Sequence, residues 1–192
     1  MPDATPTTEL ARCGSTNAVA AAWARAGGPL PRVFAAGVQT AGRGQWGRRW
    51  RSPSGGCWFT LALDADPPDP PDAPGDPGDL PLRAAEAVRG GIQAATGLAG
   101  LEVAEPNDVL LGGRKAAGLL CERVVASGGP GGRVVTLVGV GVNANAAPAG
   151  PDPATGEALR RPAASLAAAL GRPVGVRALR EACVERLRAA FP

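Results

Sequence analysis

The sequence predicts an α+β fold, in which a mixed, mainly antiparallel sheet carries helices chiefly on one face. Strand-like segments cluster along the chain, helical segments flank them, and the two types do not alternate regularly. The length of 192 residues and the 45% hydrophobic content fit one globular domain with a sizeable core. We therefore expect residues 1–192 to form a single domain.

The first predicted elements enclose a loop rich in glycine and arginine. Residues 15–17 (Ser-Thr-Asn) end a polar lead-in and open an alanine-rich helix over 18–26, because serine and asparagine are common helix-capping residues. Strands are predicted over 33–38 and 56–63. The loop at 39–55 is therefore held between two strands.

The middle of the chain contains a segment that cannot contribute to a core. Pro, Asp, Gly and Ala make up almost all of residues 64–79, which we expect to form a disordered or mobile loop. The remaining predicted elements are a helix over 82–96, strands over 101–104, 118–126 and 133–142, and a closing helix over 176–191. The last two strands form a hairpin through the glycine-rich residues 127–132.

Charge and cysteine usage limit the class of function. The formal net charge is +3, and basic residues are mostly interspersed with acidic ones, so the overall charge does not imply nucleic acid as a partner. The four cysteines are far apart and there is no histidine, which predicts reduced thiols in a cytoplasmic protein. No segment approaches the roughly 20 apolar residues of a membrane-spanning helix. We expect neither a nucleic-acid nor a membrane partner.

The single lysine is the first candidate for chemistry. Lys115 stands in Gly-Gly-Arg-Lys-Ala-Ala-Gly at 112–118, whereas the other 19 cationic side chains are arginines. A lysine supplies a compact point charge that the planar fork of arginine cannot replace. The absence of histidine removes Ser-His-Asp and Cys-His mechanisms, which favours a chemistry of positioning and charge neutralisation. A solvated turn lysine is the alternative interpretation.

The glycine-arginine loop is a candidate anion-binding element. Gly42, Gly44 and Gly47 match G-x-G-x-x-G, but a dinucleotide fingerprint requires a helix directly after the glycines, and residues 51–56 lead here to a strand. No Gly-Lys-Ser/Thr follows, which excludes a P-loop. The four arginines and the backbone amides of this loop could close around a phosphate-bearing ligand, and a solvated hairpin is an equally weighted alternative.

Five motifs, in this order, resemble the catalytic domain of biotin protein ligases. They are Ser-Thr-Asn at 15–17; Gln-Thr-Ala-Gly-Arg-Gly at 39–44 with Gly-Arg-Arg-Trp at 47–50 and Ser-Pro at 52–53; Pro-Asn-Asp-Val at 106–109 with Gly-Arg-Lys-Ala-Ala-Gly at 113–118; Gly-Val-Gly-Val-Asn at 139–143; and Ala-Ser-Leu at 164–166. The resemblance covers about residues 11–192. It implies the α+β fold of biotin/lipoate ligases and two reactions. Biotin and ATP, with Mg²⁺, give biotinyl-AMP, and the biotinyl group then passes to a lysine of a biotin carboxyl carrier protein.

The resemblance also implies roles for individual residues. The catalytic residues would be Lys115, which contacts the biotin carboxylate and the α-phosphate, Arg43, which closes the loop, and Asp108. Biotin would contact Ser15, Thr16, Asn17, Gln39, Gly42, Arg43, Gly44, Lys115, Gly118 and Leu120. The nucleotide would contact Arg48, Trp50, Asn107, Asp108, Lys115 and Asn143. No residue is assigned as a direct metal ligand. We expect a monomer or homodimer without a DNA-binding domain before Ser15 and without a C-terminal β-domain.

Three residues, in two motifs, depart from the family pattern. Gln45 stands where the family usually has an arginine, and Ala104-Glu105 stands where it has Lys-Trp. An added carboxylate repels an anionic ligand unless it is paired. These departures leave open two alternatives: a ligase for a carboxylic acid other than biotin, such as one with an amine that Glu105 binds, or a catalytically weak biotin- or adenylate-binding protein. Lipoyl or octanoyl transfer is a third alternative, against which the complete glycine-arginine loop argues.

Overall fold

Seven strands in one sheet and four helices form the fold of the computed structural model, which describes residues 5–64, 80–126, 133–152, 155–156 and 158–191. The strands are β1 (Thr7–Cys13), β2 (Arg32–Gln39), β3 (Cys57–Asp64), β4 (Leu101–Ala104), β5 (Asp108–Leu111), β6 (Arg114–Ala126) and β7 (Arg133–Val142). The helices are α1 (Thr16–Arg25), α2 (Leu80–Thr96), α3 (Leu166–Leu170) and α4 (Val176–Ala190). Within these ranges, no helix combines the length and apolar character needed to cross a membrane.

The sheet is mixed and mainly antiparallel, as predicted. Its strand order is β1-β2-β3-β7-β6-β5-β4, and only the β1–β2 pair is parallel. The expected pairing of the last two predicted strands is confirmed, because β6 and β7 pair antiparallel over ten residue pairs from Ala117↔Val142 to Ala126↔Arg133. The connection at 127–132 lies outside the described residues.

Some elements were missed by the sequence-based prediction. The interpretation of the N-terminus as only a polar lead-in was wrong, because Thr7–Cys13 forms edge strand β1 through backbone pairing with β2. The short strand β5 and the short helix α3 were also not predicted. Asp64 closes β3 and is not part of a loop, whereas the rest of the predicted mobile loop, residues 65–79, lies outside the described residues.

Alternation along the strands divides the core between the two faces of the sheet. On one face, side chains such as Phe59, Leu61 and Val138 pack with α2, α3 and α4 in the larger hydrophobic cluster. On the opposite face, Phe34 and Leu137 pack with the alanines of α1 in a smaller cluster. The prediction of helices chiefly on one face is confirmed, with α1 alone on the other face.

Helix α1 covers only part of its face of the sheet, and this leaves room for a site. Beyond the N-terminus of α1, the outward positions of the two central strands are glycines, namely Gly118 of β6 and Gly139 and Gly141 of β7. Because glycine has no side chain, the sheet surface forms a shallow floor there. The fold thus places an open region beside the first turn of α1.

The four cysteines are free thiols. Burial raises the pKa of the Cys57 and Cys121 thiols to about 12, and it raises the pKa of Cys183 well above its ordinary value. These thiols therefore stay protonated at neutral pH, which makes them poor nucleophiles and poor metal ligands.

We expect Gly91→Ala to lower the free energy of unfolding by about 1–3 kcal/mol. Its added Cβ would lie 2.6 Å from the Cα of Cys183, where α2 and α4 are in close contact. The neighbouring substitution Gly90→Ala is the matched control, because the nearest heavy atom to its added Cβ is 4.0 Å away. Gly90→Ala should raise the free energy of unfolding by roughly 0.5–1 kcal/mol. Urea unfolding measures the free energy of unfolding of both variants. Equal changes in the two variants would contradict the close contact between α2 and α4.

Candidate active site

A cavity of about 520 Å³ lies on the α1 face, where β6 and β7 carry their glycines. Its walls come from the first turn of α1, the loop between β2 and β3, the turn between β4 and β5, and the segment between β7 and α3. The residues singled out from the sequence that line it are Ser15, Thr16, Asn17, Gln39, Arg43, Gly44, Arg48, Trp50, Asn107, Asp108, Lys115, Gly118, Leu120 and Asn143. The cavity thus brings together four sequence motifs that are distant along the chain.

Gly42 is the exception among the predicted site residues, because it supports the loop from beneath and does not line the cavity. Its carbonyl oxygen accepts a hydrogen bond from the Trp50 backbone N–H at 2.8 Å. A Cβ at this position would overlap the carbonyl oxygen of Trp50 and lie 2.9 Å from the hydroxyl of Ser52. Only glycine therefore allows the two sides of the loop to approach this closely.

The indole of Trp50 lies against the glycine floor. A Cβ added at Gly141 would overlap the indole nitrogen, and one at Gly118 would lie 2.9 Å from the same ring system. Gly118 and Gly141 are direct partners in the β6–β7 pairing, so one flat patch supports the ring. Trp50 also makes an edge-to-face contact with Trp58, whose centroid is 6.3 Å away.

Lys115 reaches the same face of the sheet through an irregularity in β6. The β5–β6 register shifts between Val109 and Leu110, and both Ala116 and Ala117 pack into the core on the opposite face. A shift of this kind redirects the side chains that precede it. As a result, the ammonium group of Lys115 lies 3.0 Å from the position of a Cβ on Gly118, above the floor of the cavity.

The ammonium group of Lys115 has two defined contacts. It forms an ion pair with Asp108 at 2.6 Å between Nζ and Oδ1, and it lies 5.0 Å above the ring centroid of Trp50. Its backbone is also fixed, because the side-chain amide of Asn143 donates to the Lys115 carbonyl oxygen at 3.0 Å. The positive charge is therefore held at a fixed point in the cavity before any ligand arrives.

The turn that carries Asp108 is fastened to β6. The side-chain amide of Asn107 donates to the Leu119 carbonyl oxygen, and the Leu119 N–H donates to the Asn107 carbonyl oxygen at 3.0 Å. Asn107 is buried, and Glu105, which departs from the family pattern, also lines the cavity. Residues 105–107 form a turn, which positions the predicted site residues Asn107 and Asp108.

A network of polar side chains forms one wall of the cavity. The Oε1 of Gln39 accepts from the Thr16 N–H at 2.8 Å, and the Nε2 of Gln39 donates to Ser52 at 2.8 Å. The Thr60 hydroxyl lies 2.5 Å from the Oδ1 of Asn17. Ser15 precedes α1 without making a side-chain capping hydrogen bond, so helix capping does not explain its buried hydroxyl.

Three arginines of the loop contact other parts of the chain, two of them through carboxylates. Arg43 forms an ion pair with Glu122 at 2.9 Å, and Arg49 lies 3.5 Å from Asp152. The guanidinium group of Arg51 donates to three consecutive carbonyl oxygens at 149–151. These contacts join the loop to β6 and to the segment between β7 and α3.

Sequence reasoning missed the wall formed by the segment between β7 and α3. Besides Asn143, which was predicted, the cavity-lining residues of this segment are Pro148, Asp152, 158–161 and Ala163. The segment is rich in Pro, Ala and Gly and has no periodic pattern, so nothing local marks it as part of a site. It is positioned by backbone hydrogen bonds, including those that link Lys115 to Pro162 and Ala164.

Four buried side-chain atoms of cavity-lining residues make no hydrogen bond within the described part of the chain. They are the indole N–H of Trp50, the Nε of Arg51, the Oδ1 of Asn143 and the Oδ1 of Asp108, of which the last is ion-paired with Lys115. Buried polar atoms are nearly always satisfied in folded proteins, so an unpaired one is a site where a ligand or water would bind favourably. Trp50 and Asn143 thus offer one donor and one acceptor next to the cation of Lys115.

The described ranges contain no group of three or more His, Cys, Asp or Glu side chains that could hold a metal ion. The carboxylates that line the cavity are those of Glu105, Asp108 and Asp152. Oxygen ligands of this kind suit Mg²⁺, which is usually bound by one or two carboxylates together with substrate phosphates.

Comparison with known proteins identifies relatives of the chain. Residues 15–143 match the model of the biotin/lipoate A/B protein ligase family. The chain is 36% identical to the bifunctional ligase/repressor BirA of Bacillus spizizenii over 68% of its own length, and 39% identical to the biotin–[acetyl-CoA-carboxylase] ligase of Paracoccus denitrificans over 72%. It spans 38% and 55%, respectively, of these two relatives.

The fold is similar to that of solved biotin protein ligases. The structure of the Aquifex aeolicus enzyme in complex with biotin and ATP superposes with a TM-score of 0.74 at 22% identity, covering 97% of this chain and 70% of that one. This likeness supports the α+β fold.

We expect Gly141→Ala to destabilise the protein by about 1–3 kcal/mol, because the new methyl group displaces the indole of Trp50. In the Trp50→Ala variant, Gly141→Ala should lower the free energy of unfolding much less, because the indole ring is absent. Gly14→Ala is the control, because no heavy atom lies within 4 Å of its added Cβ. Urea unfolding of the four-member cycle tests the contact, and additive effects would contradict it.

Proposed function

Because the chain belongs to the biotin/lipoate A/B protein ligase family, we propose that it activates biotin with ATP as biotinyl-AMP and transfers the biotinyl group to a lysine of a biotin carboxyl carrier protein. One observation carries this proposal. All but one of the residues to which the biotin-ligase resemblance assigns a site role line a single cavity, with the ammonium group of Lys115 above its floor. The volume of about 520 Å³ falls within the range of small-molecule sites.

The first step brings two anions together. A biotin carboxylate oxygen attacks the α-phosphorus of ATP, an O–P bond forms, and the bond to the leaving pyrophosphate breaks. The barrier falls when fixed positive charge lies where negative charge develops. Lys115 is suited to this role because Asp108 and Trp50 hold its ammonium group in place. Arg43, in the adjoining loop, adds a second cation at the wall of the cavity.

The polar wall is suited to the head group of the acid. Ser15, Thr16, Asn17 and Gln39 present hydroxyl and amide groups beside the backbone of Gly118 and Leu120. Such groups match the urea-type donors and acceptors of biotin. Gly44 would let the loop backbone approach the ligand closely, and Gly42 allows the two sides of the loop to approach each other.

The nucleotide would occupy the part of the cavity near Arg48, Trp50 and Asn143. Asn143 and Trp50 offer the unsatisfied acceptor and donor described above, and Arg48 supplies a cation for phosphate. Asn107 fixes the turn that presents Asp108 to this region. Mg²⁺, which neutralises phosphate oxygens when bound, would be held by the triphosphate together with the carboxylate of Asp108.

In the second step, the neutral amine of the acceptor lysine attacks the acyl carbon of the adenylate. A C–N bond forms, the bond to AMP breaks, and the amine loses a proton. The protein's contribution is to shield the adenylate from water and to stabilise the departing phosphate with Lys115 and Arg43.

Lys115→Ala is expected to reduce biotin-dependent release of pyrophosphate from magnesium-ATP by at least about 100-fold, a loss typical of removing a charge-stabilising group. Lys115→Arg should recover only part of the activity, since a planar fork cannot reproduce the point charge. Addition of a carrier domain should convert the adenylate to AMP and biotinylated lysine.

Arg172→Ala, at an exposed arginine between α3 and α4, is the matched control and should retain full activity. Saturable biotin binding without pyrophosphate release by the natural chain would instead support a binding protein. Equal turnover by the natural chain and Lys115→Ala would refute the proposed role of the lysine.

A related ligase that activates a different carboxylic acid is the second candidate. The observation in its favour is that Glu105 lines the cavity, where it could bind an amine on the acid. A carboxylate at this place repels the phosphates of ATP unless a cation is bound nearby.

A panel of acids separates the two candidates. We expect ATP–pyrophosphate exchange with biotin alone among biotin, amino acids and fatty acids, and Glu105→Ala should improve the KM for ATP several-fold by removing the repulsion. Stimulation by an amino acid that is lost in Glu105→Ala would favour the second candidate. Glu102→Ala, on the exposed side of β4, is the control.

A further inference from the structure

Glu122 of β6 joins two parts of the cavity wall that are otherwise separate. Its carboxylate accepts hydrogen bonds from Nη2 of Arg43 at 2.9 and 3.1 Å, and one from Nδ2 of Asn17 at 2.7 Å. Arg43 belongs to the glycine-arginine loop, whereas Asn17 lies in the first turn of α1. Arg43 and Asn17 line the cavity, and Glu122 supports both from behind.

The requirements of Asn17 and Arg43 explain why a carboxylate stands here. The Oδ1 of Asn17 is occupied by the Thr60 hydroxyl, and the Nδ2 group also donates to the Leu120 carbonyl oxygen at 3.2 Å. The remaining amide hydrogen needs an acceptor, and the guanidinium group needs an anion. An ionised carboxylate has only acceptor sites and enough of them to serve both groups at once.

The energetics favour a positioning role over a stabilising one. The side chains of Arg43 and Glu122 are 44% and 34% exposed, respectively. An ion pair this exposed contributes little to the free energy of folding. Its contact instead determines where the guanidinium group of Arg43 lies, and it fixes the orientation of a buried amide that faces the ligand.

We propose that Glu122 is a positioning residue of this site, which holds Arg43 and Asn17 in their ligand-binding arrangement before the acid binds. This inference rests on the proposed function for the identity of the acid, but the arrangement of the ligand-free loop does not depend on it. A loop held in place in advance loses less conformational entropy when the ligand binds. Loss of Glu122 therefore weakens the capture of biotin more than the chemical step.

The test compares Glu122→Gln, Arg43→Ala, the double variant and the control Glu102→Gln, which changes an exposed glutamate of β4. In the ligand-free protein, amide hydrogen exchange should accelerate several-fold in residues 42–50 for Glu122→Gln and for Arg43→Ala, but not for the control. The Gly44 and Trp50 amides report directly, because both donate hydrogen bonds within the loop. Exchange in α2 should not change.

Kinetics supply the second measurement. Glu122→Gln should lower kcat/KM for biotin about 3–10-fold, mostly by raising KM. The fold-loss in kcat/KM of the double variant should be at least about threefold smaller than the product of the fold-losses of the two single variants. Glu122→Ala should lose more than Glu122→Gln, because glutamine retains an acceptor for Asn17. Thermal unfolding checks that each variant is folded. If a Glu122 variant does not fold, hydrogen exchange in residues 42–50 of Arg43→Ala tests the same contact.

Unchanged loop exchange in both single variants, or losses in kcat/KM that multiply independently, would overturn the proposal. If exchange accelerates but the natural chain shows no biotin-dependent pyrophosphate release, the proposed function fails and the positioning role of Glu122 stands. If release occurs and neither exchange nor kinetics responds to Glu122→Gln, the positioning role alone fails.

Discussion

The absence of side chains at three positions of the central strands is the constraint on which the site depends. Gly118, Gly139 and Gly141 leave the α1 face of β6 and β7 bare beyond the end of the helix. Into this space fit the indole of Trp50 and the amide of Asn17, both of which a single added methyl group would displace. The cavity therefore exists because the sheet is left uncovered there, and its shape is set by the residues that rest on the bare strands.

A local irregularity adds the chemistry to this floor. With strict alternation along β6, Lys115 would point into the core on the opposite face with Ala117. The register shift opposite Val109 and Leu110 instead places two consecutive alanines in the core and the lysine above the cavity. Small residues are needed for this arrangement, because both alanines are fully buried.

Two cations of the site are paired before any ligand is present. Lys115 lies against Asp108, and Arg43 lies against Glu122. Each carboxylate keeps its cation at a defined position and prevents it from binding other acceptors. An incoming carboxylate or phosphate must share these cations with Asp108 and Glu122 or displace the two carboxylates. The net electrostatic attraction is therefore reduced, and it favours anions whose shape fits the positions of the cations.

The sequence by itself determined the order of the long helices and strands, because periods of 2 and 3.6 residues are local properties. It also identified the candidate site residues, of which only Gly42 lies outside the cavity lining. It did not determine edge strand β1, which buries little surface and is held by backbone pairing with β2. Nor did it identify Glu122 as a partner of Arg43, 79 residues away in the chain. Side-chain partners of this kind are set by sheet register and by the side of the sheet on which a residue falls, and only the tertiary structure decides both.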